Sequence, residues 1–318
     1  MPRSLSREAV LRRISVAAEG AVVLIGHGAR PLRVALLLVL LAPAAARADD
    51  AAVKRGAVLF KAADCVACHT DVKSGGKPLA GGRKLVTPFG IFLSPNITPD
   101  RRDGIGAWSE AQFHRALRQG RDENGAYLYP VFPYTAFTGM SDGDIADLWA
   151  YLRSLPAVAR PDQPHAVKFP FGWRALLVFW RALFFREGPL APVAGQSADW
   201  NRGRYLAEAV AHCQECHTPR NLLGGLRKSR AYSGNAKGVD GIKSPNITGD
   251  AATGIGKWSV DDVAALLATG QTPDMDFVGS AMADVVKGTS ALSAADRRAI
   301  AVYIKSIPAI STPKRKGS

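Results

Sequence analysis

The sequence contains the same ordered set of short motifs twice, and this duplication limits the folds that the chain can adopt. The copies follow each other in the same order, at a nearly constant offset of about 150 residues, far above the roughly 20 to 50 residues of a solenoid repeat. Two homologous units, each binding the same kind of group, are therefore expected. The matching blocks are 65–70 and 213–218, 94–98 and 244–248, 104–109 and 254–259, and 148–156 and 300–308.

Helix signals dominate both units, and no sustained alternation of apolar and polar residues predicts a strand. Four serines precede apolar-periodic runs with an acidic or amide residue three positions later, which is typical of the first residues of a helix. We therefore predict an all-α fold of two tandem small domains with long irregular loops. The four motifs are Ser109-x-x-Gln112, Ser141-x-x-Asp144, Ser259-x-x-Asp262 and Ser293-x-x-Asp296.

The only cysteines are four residues in two Cys-x-x-Cys-His motifs. Two thiols at this spacing can add to the two vinyl groups of a haem, while the imidazole that follows reaches the iron. The sequence therefore predicts two haem c groups. Cys65, Cys68 and His69 would hold haem 1, and Cys213, Cys216 and His217 would hold haem 2.

Disulfides, zinc and a redox-active dithiol are the alternatives for these cysteines. Zinc would need each pair to recruit two further ligands, or one ion to be shared across about 150 residues. Histidines that could help are scarce outside the motifs, and no βαβ pattern surrounds either pair, as a thioredoxin-like site would require. The other histidines are His27, His114, His165 and His212.

Methionine is a natural candidate for the sixth iron ligand, since a soft thioether sulfur favours Fe(II). Met140 is the candidate for haem 1, and Met282, expected on a loop, is the candidate for haem 2, with Met275 as a weaker alternative. The two do not correspond in the repeat, because Met140 aligns with Leu292 and Met282 aligns near Phe132. Either the two loops deliver sulfur by different routes, or haem 1 has another distal ligand or none.

The N-terminal region is typical of an exported protein. Basic residues precede a short apolar run at 34–42, which ends in Ala46-Arg47-Ala48. This pattern predicts a signal peptide over 1–48 and a periplasmic mature chain, with a retained membrane anchor as the alternative.

The charge of the chain is strongly positive, with a formal net charge of +14. The predicted leader, with seven arginines and two glutamates, accounts for only part of it, so the mature chain stays basic. No cluster of aromatic and basic residues argues for nucleic acid. An acidic protein partner or an anionic membrane surface is therefore expected.

The predicted order of segments is a domain over 49–160, a linker over 161–196, a second domain over 197–310 and a basic tail over 311–318. Aromatic and leucine residues recur at helical spacing within the linker. This amphipathic helix is expected either to pack across both domains or to lie at a membrane surface.

The motifs together resemble those of the multihaem cytochrome c subunits of periplasmic alcohol, gluconate and aldehyde dehydrogenases. The resemblance rests on Cys65-x-x-Cys-His, the Ser-Pro-Asn-Ile-Thr blocks, Tyr129-Pro-Val-Phe-Pro-Tyr134 and Phe179-Trp-Arg-Ala-Leu-Phe-Phe185. It implies two class I cytochrome c-like domains with His/Met ligation of the iron. Those subunits typically carry three haem motifs, so this chain is more similar to the shorter dihaem members.

The resemblance implies electron transfer rather than catalysis. The expected donor is the catalytic subunit of a periplasmic dehydrogenase, and the expected acceptor is a cytochrome, an oxidase or the quinone pool. Two rivals stay open at this point. One is a dihaem peroxidase or thiosulfate-oxidising cytochrome with one open haem, and the other is a membrane-anchored structural subunit of a dehydrogenase complex.

Overall fold

The computed structural model describes residues 50–312, and within them helices dominate. The predicted signal peptide and residues 313–318 of the predicted tail lie outside the described residues. The helices are α1 (50–62), α2 (Cys65–His69), α3 (Glu110–Gln119), α4 (Tyr134–Phe137), α5 (Asp142–Arg153), α6 (Leu176–Phe184), α7 (Ala198–Tyr205), α8 (Cys213–His217), α9 (Val260–Thr269), α10 (Ser280–Thr289) and α11 (Ala294–Lys305).

The four predicted helix starts are confirmed. Ser109 and Ser259 each form a complete capping box, because the side chain three residues later also accepts a hydrogen bond from the backbone of the serine. Ser141 and Ser293 accept a hydrogen bond from the backbone N–H three residues later, without the reciprocal bond. The helices that begin there, α3, α5, α9 and α11, therefore start where the repeated motifs place them.

The two repeated units are called the first and the second half. In each half, a glycine lets the helix before the cysteine motif cross the last helix closely. A Cβ on Gly56 in α1 would lie 1.9 Å from the carbonyl oxygen of Asp147 in α5. A Cβ on Gly203 in α7 would lie 1.9 Å from the carbonyl oxygen of Ala299 in α11. No real Cβ tolerates such a contact, so each crossing depends on a residue without a side chain.

Alanine at Gly203 is expected to lower the free energy of unfolding by about 1–3 kcal/mol, because the two helices must move apart or distort. Guanidinium unfolding followed by far-UV circular dichroism measures the change. The matched control is Gly143→Ala in α5, where an added Cβ meets no atom within 4 Å. Removing that glycine should stabilise by about 0.5–1 kcal/mol. Equal effects of the two substitutions would contradict the close crossing.

A small antiparallel sheet interrupts the helical fold between α2 and α6. Strand β1 (Lys84–Thr87) pairs with β2 (Gly90–Leu93), with Lys84 opposite Leu93. The two-residue strand β3 (Ala166–Val167) pairs with the other edge of β2. No strand was expected here, because strands of two to four residues are too short for an alternating pattern to show.

Helix α6 lies in the segment that was expected to contain an amphipathic helix, and it contacts residues of both halves. Its Trp180 donates a hydrogen bond from Nε1 to the carbonyl oxygen of Leu223, at 2.8 Å. The guanidinium of Arg181 lies over the ring of Tyr127, with Cζ 4.5 Å from the ring centroid. Phe179 on the same helix is 70% exposed. Among residues 50–312, neither α6 nor any other helix has the length and apolarity needed to cross a membrane.

Candidate functional site

The two cysteine motifs adopt matching local structures. Each forms a five-residue helix, α2 or α8, and the residue before it has a left-handed backbone, with φ of 50° at Asp64 and 41° at His212. Residues three apart in a helix lie on the same face, so the two cysteines of each motif project together. Both thiols and the histidine of each motif line one cavity.

Each motif histidine is held by a backbone carbonyl that leaves one ring nitrogen available. Nδ1 of His69 donates to the carbonyl oxygen of Pro95, at 2.8 Å, and Nδ1 of His217 donates to that of Pro245, at 2.9 Å. Because a carbonyl can only accept, the proton lies on Nδ1 and the lone pair on Nε2. Iron-binding histidines are commonly oriented by such a bond.

The carbonyls that hold the histidines belong to the repeated Ser-Pro-Asn-Ile-Thr segments, which are fixed by a buried asparagine. Asn96 is 2% exposed, and its Oδ1 accepts from the backbone N–H of Thr98 at 3.0 Å and from its hydroxyl at 2.7 Å. Its Nδ2 donates to the carbonyl oxygen of Val158 at 2.8 Å. Asn246 makes corresponding bonds to Thr248 and Ile310 in the second half. The structure thus explains the repetition of this block as a support for the histidines.

The cavity that both motifs line has a volume of about 3570 Å³, several times that of the roughly 300–1,000 Å³ pockets typical of small ligands. Its walls are largely apolar, and equivalent residues of the two halves contribute to it. The matched pairs include Ile97 and Ile247, Ile105 and Ile255, Trp108 and Trp258, Leu117 and Leu267, Phe132 and Met282, Leu148 and Ile300, and Leu152 and Ile304. These surroundings, with two thiols and one imidazole in each half, fit two covalently attached haems.

The two motifs lie next to each other. His212, directly before Cys213, shares a 3.2 Å hydrogen bond through Nε2 with the carbonyl oxygen of Ala63, two residues before Cys65. The rings of His212 and Phe137 meet edge to face at 5.4 Å. Residues from one half therefore touch the attachment segment of the other.

Arg83 is a further link between the halves that no sequence pattern indicated. Its guanidinium donates to the carbonyl oxygen of Ala67 at 2.7 Å, lies 3.9 Å from Sγ of Cys68 and forms a 2.8 Å ion pair with Asp240. No arginine stands at the matching place in the second half. Gly82 and Asn235 make matching backbone bonds to Ser94 and Ser244, so the counterpart of Arg83 is Ala236. Because Arg83 belongs to no repeated block, the sequence carried no signal for it.

Burial governs the protonation of the site. It raises the pKa of Cys68 to about 11 and that of Cys213 to about 12, and it lowers the pKa of His69 and His217. The lowered pKa keeps the imidazoles neutral at pH 7, as iron binding requires, and the raised pKa keeps the free thiols protonated. Within residues 50–312, no three acidic, cysteine or histidine side chains come together as a metal site would need.

The two methionines predicted as iron ligands lie in different environments. Met282 lines the cavity, but in the first turn of α10 rather than on the predicted loop. Met140 is fully buried in the hydrophobic core and does not line the cavity. The structure therefore brings Met282 to the site and does not bring Met140 to it. Met275, the weaker alternative, is 73% exposed and does not line the cavity either.

Comparisons with known proteins agree with this site. The family model for cytochrome c matches residues 53–156. A protein described as "Diheme cytochrome c-type" from Cereibacter sphaeroides is 44% identical over 264 residues, covering 80% of this chain and 86% of the relative.

Two dehydrogenase subunits are also similar to the chain. The fructose dehydrogenase cytochrome subunit of Gluconobacter japonicus is 40% identical, and 84% of this chain matches 55% of that subunit. The gluconate 2-dehydrogenase cytochrome c subunit of Pantoea cypripedii is also 40% identical, with 83% and 61% covered. The chain thus spans a little over half of each of these subunits. With the two motif helices, their carbonyl-held histidines and the match over most of the Cereibacter protein, the chain belongs to the dihaem c-type cytochromes.

Proposed function

We propose that this chain is a periplasmic dihaem electron carrier of a dehydrogenase system. It takes electrons from a dehydrogenase catalytic subunit and passes them to the respiratory chain, through a cytochrome, an oxidase or the quinone pool. The observation that carries the proposal is the pair of Cys-x-x-Cys-His helices that line one apolar cavity and touch through His212 and Ala63.

In this proposal each half is a class I cytochrome c domain, over 49–160 and 197–310, and the linker 161–196 contains the amphipathic helix α6. Cys65, Cys68 and His69 hold one haem, and Cys213, Cys216 and His217 hold the other. Each haem supplies an iron that cycles between Fe(II) and Fe(III). An electron carrier of this kind needs no substrate pocket beyond the crevices that hold its haems.

In this proposal, residues of the chain hold the two haems in place and control their surroundings. The carbonyls of Pro95 and Pro245 orient the two imidazoles, and the apolar walls exclude water. Met282 places a thioether in the second half of the cavity, and a soft ligand of this kind favours the reduced iron. Short separation between the attachment segments suits transfer of electrons from one half to the other.

The relatives support the dehydrogenase as donor. Proteins named as cytochrome subunits of fructose, gluconate and alcohol dehydrogenases are 36–40% identical to the chain. Their names describe electron-transfer subunits and not catalytic ones, which weighs against the rival of a dihaem peroxidase or thiosulfate-oxidising enzyme. Export to the periplasm rests on the predicted signal peptide.

Oxygen uptake by the host cells tests whether a dehydrogenase donates electrons to this chain. Deletion of this chain is expected to abolish oxygen uptake with one class of substrate in a panel of alcohols, sugars, sugar acids and aldehydes, while uptake with succinate stays unchanged. The wild-type gene should restore it, and a gene encoding His217→Ala should not. Oxygen uptake that is unchanged with every substrate after deletion would contradict the proposal.

Reduction kinetics are expected to depend on salt, because the net charge of the chain is strongly positive. The rate of reduction by the ascorbate anion should fall several-fold between about 0.01 and 0.15 M ionic strength, as the screening length shortens from about 30 to about 8 Å. The rate with uncharged duroquinol is the control and should not change. Stopped-flow absorbance measures both rates.

Two exposed lysines that line the cavity, Lys73 and Lys84, allow the same test by mutation. The double variant Lys73→Glu, Lys84→Glu should be reduced more slowly by ascorbate at low salt and at an unchanged rate by duroquinol. An equal loss with both reductants would indicate damage to the fold rather than an electrostatic effect.

A further inference from the structure

The repeat identifies which residue of the first half stands where Met282 stands in the second. Helices α3 and α9 both end at a glycine with a left-handed backbone, Gly120 with φ of 58° and Gly270 with φ of 80°. The carbonyl oxygens of these glycines accept from the backbone N–H of Leu128, at 2.8 Å, and of Val278, at 2.9 Å. The halves are therefore in register here at an offset of 150 residues.

Four residues beyond these matched bonds lie Phe132 in the first half and Met282 in the second. Both side chains line the cavity, and both pack against the same hydrophobic core. The first half thus presents a phenyl ring where the second presents a thioether. Carbon and hydrogen atoms offer iron no lone pair, so Phe132 cannot act as a ligand.

Met140 does not replace the missing sulfur, because its own counterpart is a core residue. Met140 precedes the helix cap Ser141, as Leu292 precedes Ser293, and the backbone N–H of each bonds to a carbonyl three residues earlier. Both side chains are buried, at 0% and 4% exposure, and neither lines the cavity. The carbonyl oxygen of Met140 also accepts a 2.6 Å hydrogen bond from the buried Arg118. Met140 is thus fixed in the core, as leucine is in the second half.

Two histidines that line the cavity, His165 and His212, are held by hydrogen bonds. Nδ1 of His165 accepts a 3.2 Å hydrogen bond from the backbone N–H of Leu93, so in the neutral ring the proton occupies Nε2. Nε2 of His212 bonds to the carbonyl oxygen of Ala63 and therefore carries the proton of its ring. Tyr129 donates its hydroxyl hydrogen to the carbonyl oxygen of Gly172.

We propose that the haem held by Cys65, Cys68 and His69 has no protein ligand on its second axial side, and that it binds a small neutral diatomic ligand there. The proposal rests on the proposed attachment of two haems. Polarity and hydrogen-bond donors of the distal pocket decide which ligands a haem takes. An apolar wall that includes Phe132 favours an uncharged ligand of ferrous iron, such as carbon monoxide or nitric oxide, over an anion.

Carbon monoxide titration of the ferrous holoprotein tests this proposal. The wild-type protein is expected to bind one carbon monoxide for every two haems, and the near-infrared sulfur-to-iron band of the oxidised protein should have the intensity of a single methionine-ligated haem. Phe132→Met should abolish carbon monoxide binding and double the band. Met282→Leu should double carbon monoxide binding and remove the band.

Met140→Leu is the matched control, because leucine stands at the equivalent position of the second half. This variant should leave both carbon monoxide binding and the band unchanged. The proposal is overturned if the wild-type protein binds no carbon monoxide. In that case a halved band in Met140→Leu would identify Met140 as the second ligand. Conversion of a low-spin haem to a high-spin haem in His165→Ala would identify His165. A haem content below two per chain, measured independently as the pyridine haemochrome, would overturn the proposed function as well.

Discussion

A chain in which serine replaces Cys213 and Cys216 is expected to carry half of the haem of the wild-type protein. The two thiols line the cavity with His217 and provide the covalent attachment that haem c needs. The apolar walls of the second half would then have no macrocycle to pack against, and unpaired apolar surface destabilises a fold. We expect α9, α10 and α11 to become sensitive to protease while the first half stays folded. Haem per chain is measured by pyridine haemochrome and by intact mass.

The control for this variant is Gln214→Ala, which changes a residue inside the motif and keeps both cysteines. It should retain both haems. Serine at Cys65 and Cys68 should give the complementary result, with the second half retaining its haem. Full haem content after loss of Cys213 and Cys216 would contradict the assignment of these residues.

Replacing Asn246 with alanine is expected to lower the free energy of unfolding by about 3 kcal/mol. The side chain is 6% exposed and joins Thr248 to the chain after α11, with a 2.8 Å hydrogen bond to the carbonyl oxygen of Ile310. Each buried group left without a partner costs about 1–3 kcal/mol. The adjacent Pro245 carbonyl orients His217, so the loss should also broaden the haem spectrum. Guanidinium unfolding followed at the haem absorption measures the change.

The exposed Asn124 offers a matched control for this measurement. Its substitution by alanine should change the free energy of unfolding by no more than about 0.5 kcal/mol. If Asn246→Ala had as small an effect, the buried hydrogen bonds would not support the histidine loop as described.

The helix starts could be predicted from the sequence, because they depend on contacts between neighbouring residues. Serines such as Ser109 and Ser259 begin the helices that they were expected to begin, because their side chains can accept from the backbone two or three positions later. The two cysteines of each motif project together because their spacing matches about one turn of helix, and both motifs line one cavity. The duplication also located the asparagine loops, although only the structure shows that Asn96 holds the carbonyl that bonds His69.

Other features depend on contacts between distant segments, which composition and spacing do not encode. Met140 was the candidate for haem 1 as the sole methionine of the first half, and the structure places its side chain in the core, away from the cavity wall. The sheet formed by β1, β2 and β3 was missed, because its strands are too short to show a period. Arg83 joins the halves through Asp240, 157 residues away, and no local pattern could indicate that pair.

A reductive titration of the purified, exported protein under anaerobic conditions tests the central claim most directly. The electrons taken up per chain are counted from the reductant added, and the haem spectra are followed at the same time. An electron carrier with two haems is expected to take up two electrons per chain and to return both to ferricyanide without change in the spectrum. Uptake of one electron or none, or an uptake that ferricyanide does not reverse, would contradict it.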